Sequence, residues 1–161
     1  MSVKLAYISQ VTVQESITVS APDVVAPTVT HKTFNTTLNL SATSTPPVSK
    51  TASFAKALSA GAATIDLTNL TGTVGTVDGT GTKVQSAKFL NPSTNANAIT
   101  VKAGASNAYL LGGTSWSFIL SPGMEITVYG NNATPSIDAT HKNIDLAGTG
   151  TQALNVVLVM G

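Results

Sequence analysis

TGTVGTVDGTGTK, residues 71–83, holds four glycines in thirteen residues and ends in a lysine. How this stretch is read decides the fold. A phosphate-cradling loop needs a helix directly behind it, because the amides of the helix N-terminus hold the anion, and that implies an α/β architecture. A plain connection needs only another strand. The Walker pattern asks for Gly-Lys-Ser/Thr at its end, but Thr82 precedes Lys83 and Val84 follows it. The dinucleotide fingerprint begun by Gly79 and Gly81 needs a third glycine where Val84 stands. Val84-Gln85-Ser86-Ala87-Lys88-Phe89 reads as a strand. The stretch is therefore expected to be an inter-strand connection whose tip is open to contact.

The flanking sequence agrees. Ala63–Thr68, Lys83–Leu90, Ala98–Lys102, Trp116–Leu120, Met124–Tyr129, Asn143–Leu146 and Ala153–Met160 are short strand-forming runs separated by Gly, Pro and Asn clusters. The run 48–58 fits a strand with Ala52, Phe54 and Leu58 on one face. It also fits a short helix with Phe54 and Leu58 stacked, and its β surroundings favour the strand. Eight strands are expected from Thr51 onward, an all-β, jelly-roll-like antiparallel β-sandwich. Ser121-Pro122-Gly123 predicts a tight hairpin. The apolar run Leu154–Met160 predicts an interior strand buried on both faces.

Residues 1–48 differ. They carry Pro22, Pro27, Pro46 and Pro47, the linker-like Ala21–Pro27, and the alternating pieces Val11–Gln14 and Ile17–Ser20. Two readings fit: an extended N-terminal arm with strand segments, or an extension of the sandwich. The working division is an arm over 1–48 and a sandwich domain over 49–161.

Charge narrows the function. Asp, Glu, Lys and Arg make 9% of the 161 residues, against roughly 25% in ordinary soluble domains. All eight basic residues are lysine, scattered singly, and the net charge is +1. Nucleic-acid binding, which needs clustered cations, is not expected. With no cysteine, thiolate catalysis, disulfides and Cys-based metal sites drop out. The start MSVKLAYISQ does not read as a secretory leader, and no apolar run of about 18 residues predicts a membrane span. Polarity comes from Thr, Ser and Asn, with 25 threonines. Such a surface loses little desolvation energy when pressed against another protein.

Candidate chemical groups are sparse. Asp78 with Thr80 and Thr82, or Asp138 with Asp145, are candidate calcium oxygens, though calcium usually takes several carboxylates. The competing reading is turn aspartates capping their own backbone. His31 and His141 each sit in Thr-His-Lys and read as surface residues. Ser106 and Ser115 lie outside any nucleophile motif, and Glu15 and Glu125 are too isolated to form a glycosidase pair. Trp116 and Phe118 share a strand face and read as core. Tyr109, in a loop bounded by Gly104, Gly112 and Gly113, is the one candidate ligand platform. Sequons at Asn35, Asn39, Asn69 and Asn132 are expected by chance in a chain this rich in Asn and Thr. No catalytic residue, cofactor or metal is predicted.

The segments Lys83-Val84-Gln85, Asn91–Asn95, Ile99-Thr100-Val101, Ser121–Val128 and Asp145–Gly150 together resemble the capsid decoration, or cement, proteins of tailed bacteriophages. The resemblance covers residues 50–161 and rests on texture. It implies a homotrimer on the outer virion surface, made in the host cytoplasm, that binds the major capsid protein and strengthens the shell. It also implies an arm reaching to neighbours and no catalytic residues. The alternative from a different class is a carbohydrate-binding or host-attachment β-sandwich, with Tyr109 and the Asp78 loop as contacts.

Overall fold

A computed structural model describes residues 2–16, 28–30 and 34–161. The pieces Ile17–Ser20 and Ala21–Pro27, and His31, lie outside the described residues. The chain divides into two units, 1–4 with 40–161, and 5–39.

Every element of the large unit beyond its first strand ends is a strand: β5 (Lys50–Ala57), β6 (Ala62–Asp66), β7 (Leu70–Gly72), β8 (Gly75–Val77), β9 (Val84–Leu90), β10 (Ile99–Ala103), β11 (Ser117–Leu120), β12 (Glu125–Tyr129), β13 (Asn143–Ala147) and β14 (Ala153–Met160). Eight of them build two four-stranded sheets, ordered β12-β9-β14-β5 and β11-β10-β13-β6. All six pairings within these sheets are antiparallel. The order has a simple logic. The first of the eight pairs with the last, the second with the seventh, the third with the sixth and the fourth with the fifth. That is one long antiparallel ribbon, rolled until β9 meets β14 and β10 meets β13.

The rolled sheets close over a single core. Ala52, Phe89, Leu154, Val156, Leu158 and Met160 come from one sheet, and Ile65, Ile99, Val101, Leu120, Ile144 and Leu146 from the other. Alternation along each strand sets this, since successive side chains point to opposite faces. The 48–58 run follows the same rule: β5 buries Ala52 and exposes Thr51 and Ser53.

The stretch 71–83 has no helix behind it. Its first part is a small hairpin, β7 against β8, with Thr73 and Val74 at the turn, and β9 follows. Two expectations need correction. β14 lies inside its sheet, yet it is not buried on both faces: Asn155 is exposed and Val157 is 38% exposed. One face fills the core and the other meets solvent except near Val159. Nor do β11 and β12 form a hairpin. The turn is there, closed by the Met124 amide on Ser121 O at 2.9 Å, but β11 joins β10 and β12 joins β9, in opposite sheets. Gly123, at φ +82°, lets the backbone change sheets at this corner.

The large unit begins at Leu40, earlier than the prolines suggest, because Leu40 and Val48 are both buried. Ser41 O accepts the Val48 amide at 2.9 Å, folding the Pro46-Pro47 segment onto the sandwich side of the boundary.

The small unit holds most of β1 (Lys4–Ser9) and β4 (Thr36–Ser41), which pair, and β2 (Gln14–Ser16) and β3 (Thr28–Thr30), which pair antiparallel. The Val11 amide donates to Asn35 Oδ1 at 3.3 Å. The expected strand Val11–Gln14 enters a ladder only at Gln14.

Candidate interaction surfaces

Tyr109 is not the exposed platform its loop suggested: its ring is fully buried. The Val84 amide donates to its hydroxyl at 2.9 Å, and the hydroxyl donates to Pro135 O at 2.9 Å. Burial pushes the phenol's pKa up, against hydrogen bonds with Thr134 and Val84 that lower it. The indole N–H of Trp116 donates to Tyr109 O at 2.8 Å, and the Trp116 and Phe118 rings lie 5.6 Å apart. Tyr109 thus pins the loop to the core and offers no stacking face. The loop glycines suggested exposure; the hydroxyl's two partners, from distant residues, decided otherwise.

The aspartates follow one pattern. Asp66-Leu67-Thr68, Asp78-Gly79-Thr80 and Asp138-Ala139-Thr140 each bend so that the carboxylate accepts the threonine amide and hydroxyl two residues on, at 2.6–2.9 Å. This is the turn-capping reading. Backbone bonds from Gly79 to Leu67 O and from Ile137 to Thr82 O tie the three turns together at one end of the sandwich. The Asp78 carboxyl is held below the usual carboxylate range by the Thr80 hydroxyl and amide. Asp138 is held lower still by Thr140, helped by His141. At Asp66 burial pushes the other way, and the Thr68 hydroxyl and Lys142, at 2.9 Å, overcome it. Asp145 is not with Asp138; it accepts Thr64 Oγ1 and the Ala105 amide, both at 2.7 Å. Among the described residues no three His, Cys, Asp or Glu side chains converge as metal ligands.

His141 lies against Asp138, with Nδ1 3.2 Å from Oδ1. Ser106 and Ser115 are exposed loop residues. Glu125 pairs with Lys88 at 2.7 Å, and Glu15 sits on β2 in the other unit. Asn132 faces Gln85, whose Oε1 accepts its amide at 3.0 Å.

One residue is more central than its sequence context suggested. Asn91, in an Asn-Pro turn cluster, is fully buried at the corner where β11 gives way to β12. Its side-chain amide donates to Leu120 O at 2.8 Å and Asn97 O at 3.1 Å, and its backbone bonds Gly123 and Met124. The only advance signal was a turn residue directly after a strand.

What remains for contact is surface. The outer face of the β12-β9-β14-β5 sheet is nearly uncharged: Thr51, Ser53, Ala55, Asn155, Val157 and Thr127, with the Lys88–Glu125 pair as its charges. The small unit is the more apolar surface. Ile8, Val11, Val13, Val29 and Phe34 are 65, 71, 49, 38 and 88% exposed. Comparison of the chain with protein-family models, with curated proteins and with solved structures finds no match.

Proposed function

We propose that the chain is a structural virion protein, a decoration or cement protein that binds the outside of a phage capsid through its major capsid protein and works as a homotrimer. The observation that carries this reading is the small unit. A two-stranded pairing is at best marginally stable in water, and the small unit, which holds two such pairings, exposes Ile8, Val11, Val13 and Val29. Covering a side chain of this size gains about 1.5–3 kcal/mol, so the ribbon has strong reason to lie against a partner. A weakly charged sandwich that must bury area against several subunits fits beside it. The strand order also supports the jelly-roll reading, since an eight-stranded ribbon with first-to-last pairing rolls into that topology.

The test is sedimentation with phage heads. Antibody raised to the chain should detect it on gradient-purified tailed-phage particles from the source culture. Purified protein should rebind heads stripped of it. Ile8→Ser combined with Val29→Ser should weaken rebinding at least tenfold, because each lost apolar contact is worth about 1.4 kcal/mol or more. Absence of the chain from every particle fraction would overturn the proposal.

A further inference from the structure

β5 is the longest edge strand of the sandwich, 8 residues against 5 in β6, 4 in β11 and 5 in β12. An edge strand is a template for pairing with another chain, and a strand that adds to it must lie about 4.8 Å away. The middle of β5, Thr51–Ala55, is uncharged, with Ala52 buried and Thr51, Ser53 and Ala55 exposed. Lys50 and Lys56 stand on either side of it.

The β7–β8 hairpin packs beside β5 yet joins no ladder with it. A cleft of about 260 Å³ remains between Thr51 and residues 72–77, room for several waters. The hairpin is fixed at its roots. Leu70 is buried, the Gly79 amide donates to Leu67 O at 2.9 Å, and Lys50 Nζ donates to Asp78 O at 2.6 Å. Beyond the roots Thr71, Thr73, Val74, Gly75 and Thr76 are exposed. The close turn depends on Gly72, where a Cβ would lie 2.7 Å from Gly75 O and 2.7 Å from Val77 Cγ2.

We propose that the hairpin is an autoinhibitory strap: closed, it keeps the β5 edge from pairing with the β5 edge of a second copy of this chain. The symmetry of the strand itself selects a second copy. In an antiparallel pair with its twofold at Ser53, Ala52 meets Phe54 on the core face and Thr51 meets Ala55 on the outer face. The same register sets Lys50 against Lys56, and like charges directly opposite each other disfavour pairing. Strap and lysines therefore act together, one by occupying space and the other by charge. The inference does not rest on the function proposed above.

The chain has no cysteine, so an introduced disulfide reports the contact directly. Ser53→Cys places its sulfur at the twofold. In the full-length chain with the hairpin intact it should dimerise slowly on a non-reducing gel. Adding Gly72→Val, which forces the turn open, should speed dimerisation by about tenfold or more. Gly75→Ala, strained at φ +142°, should act in the same direction by a smaller factor, and circular dichroism should show both variants folded. Salt should speed the reaction further, because it screens Lys50 from Lys56. Ala57→Cys, on the same face of β5, should not respond, because this register holds its two copies far apart. The inference is overturned if the folded Gly72→Val and Gly75→Ala variants leave the Ser53→Cys rate unchanged, if Ala57→Cys responds equally, or if salt slows the reaction.

Discussion

Asn91 and Tyr109 show what a single buried polar side chain does in a sandwich with few charges. Each holds backbone groups that strand pairing leaves over. Truncating Asn91 to alanine removes a donor from Leu120 O and from Asn97 O, the latter keeping Gln152 Nε2 at 2.6 Å, and takes away the acceptor of Asn95 Nδ2. The expected cost is about 1–2 kcal/mol, from hydrogen bonds lost in a closed corner, read as a lower denaturant midpoint at unchanged slope. Tyr109→Phe keeps the ring but orphans the Val84 amide and the Pro135 carbonyl. A loss of about 1–3 kcal/mol is expected, again by denaturant titration. The same variant should leave any glycan binding untouched, because the ring is buried.

Among the elements, the Asp-x-Thr turns set the acid limit of the fold. Asp66, Asp78 and Asp138 all have folded-state pKa values below their ordinary ones. A depressed carboxylate stabilises fully above its unfolded pKa of about 3.9 and loses that contribution as pH falls through the folded value. The melting midpoint should therefore hold from neutral pH to about 5 and fall below about 4. Asp138→Asn should flatten that fall, as followed by circular dichroism. Gly79 sits inside the cluster for a steric reason. A Cβ there would lie 2.6 Å from Leu67 O, 2.9 Å from Ile137 Cδ1 and 3.0 Å from Met160 Sδ. Gly79→Ala should cost about 1–3 kcal/mol as overpacking, measured by thermal melting. The glycine that looked like part of a nucleotide fingerprint is there for close approach of backbone and core.

At the scale of the whole molecule, the division at Leu40 predicts that the sandwich folds without the ribbon. A chain starting at Leu40 should unfold in one cooperative transition, by calorimetry, at a midpoint lowered by the loss of buried Val3, and should lose head binding. Much of this architecture was legible. The eight strands of the two large sheets, the strand reading of 48–58 and the absence of a helix after Lys83 all follow from alternation and punctuation, which are local; the short strands β7 and β8, which bring the count from Lys50 onward to ten, were hidden in a Gly/Thr stretch that reads as a connection. The sheet change at Ser121–Gly123 was not legible, because the local turn is the same whether the next strand pairs with its neighbour or crosses the core. The exposure of Val157 was hidden for a similar reason: an unbroken apolar run carries no mark of which face is covered. At the candidate surfaces, the aspartates' capping role could be read from the Asx-x-Thr spacing. The burial of Tyr109 could not, since its partners lie 25 and 26 residues away.

The sequence by itself determined the class of fold, the weakly charged threonine-rich surface and the distinct character of the N-terminal segment, because composition and period-two alternation act within a few residues. Only the tertiary structure decided which strands share a sheet and which polar groups are buried. Those depend on contacts between residues far apart in the chain, where pairing and burial are settled together and no local pattern records the outcome.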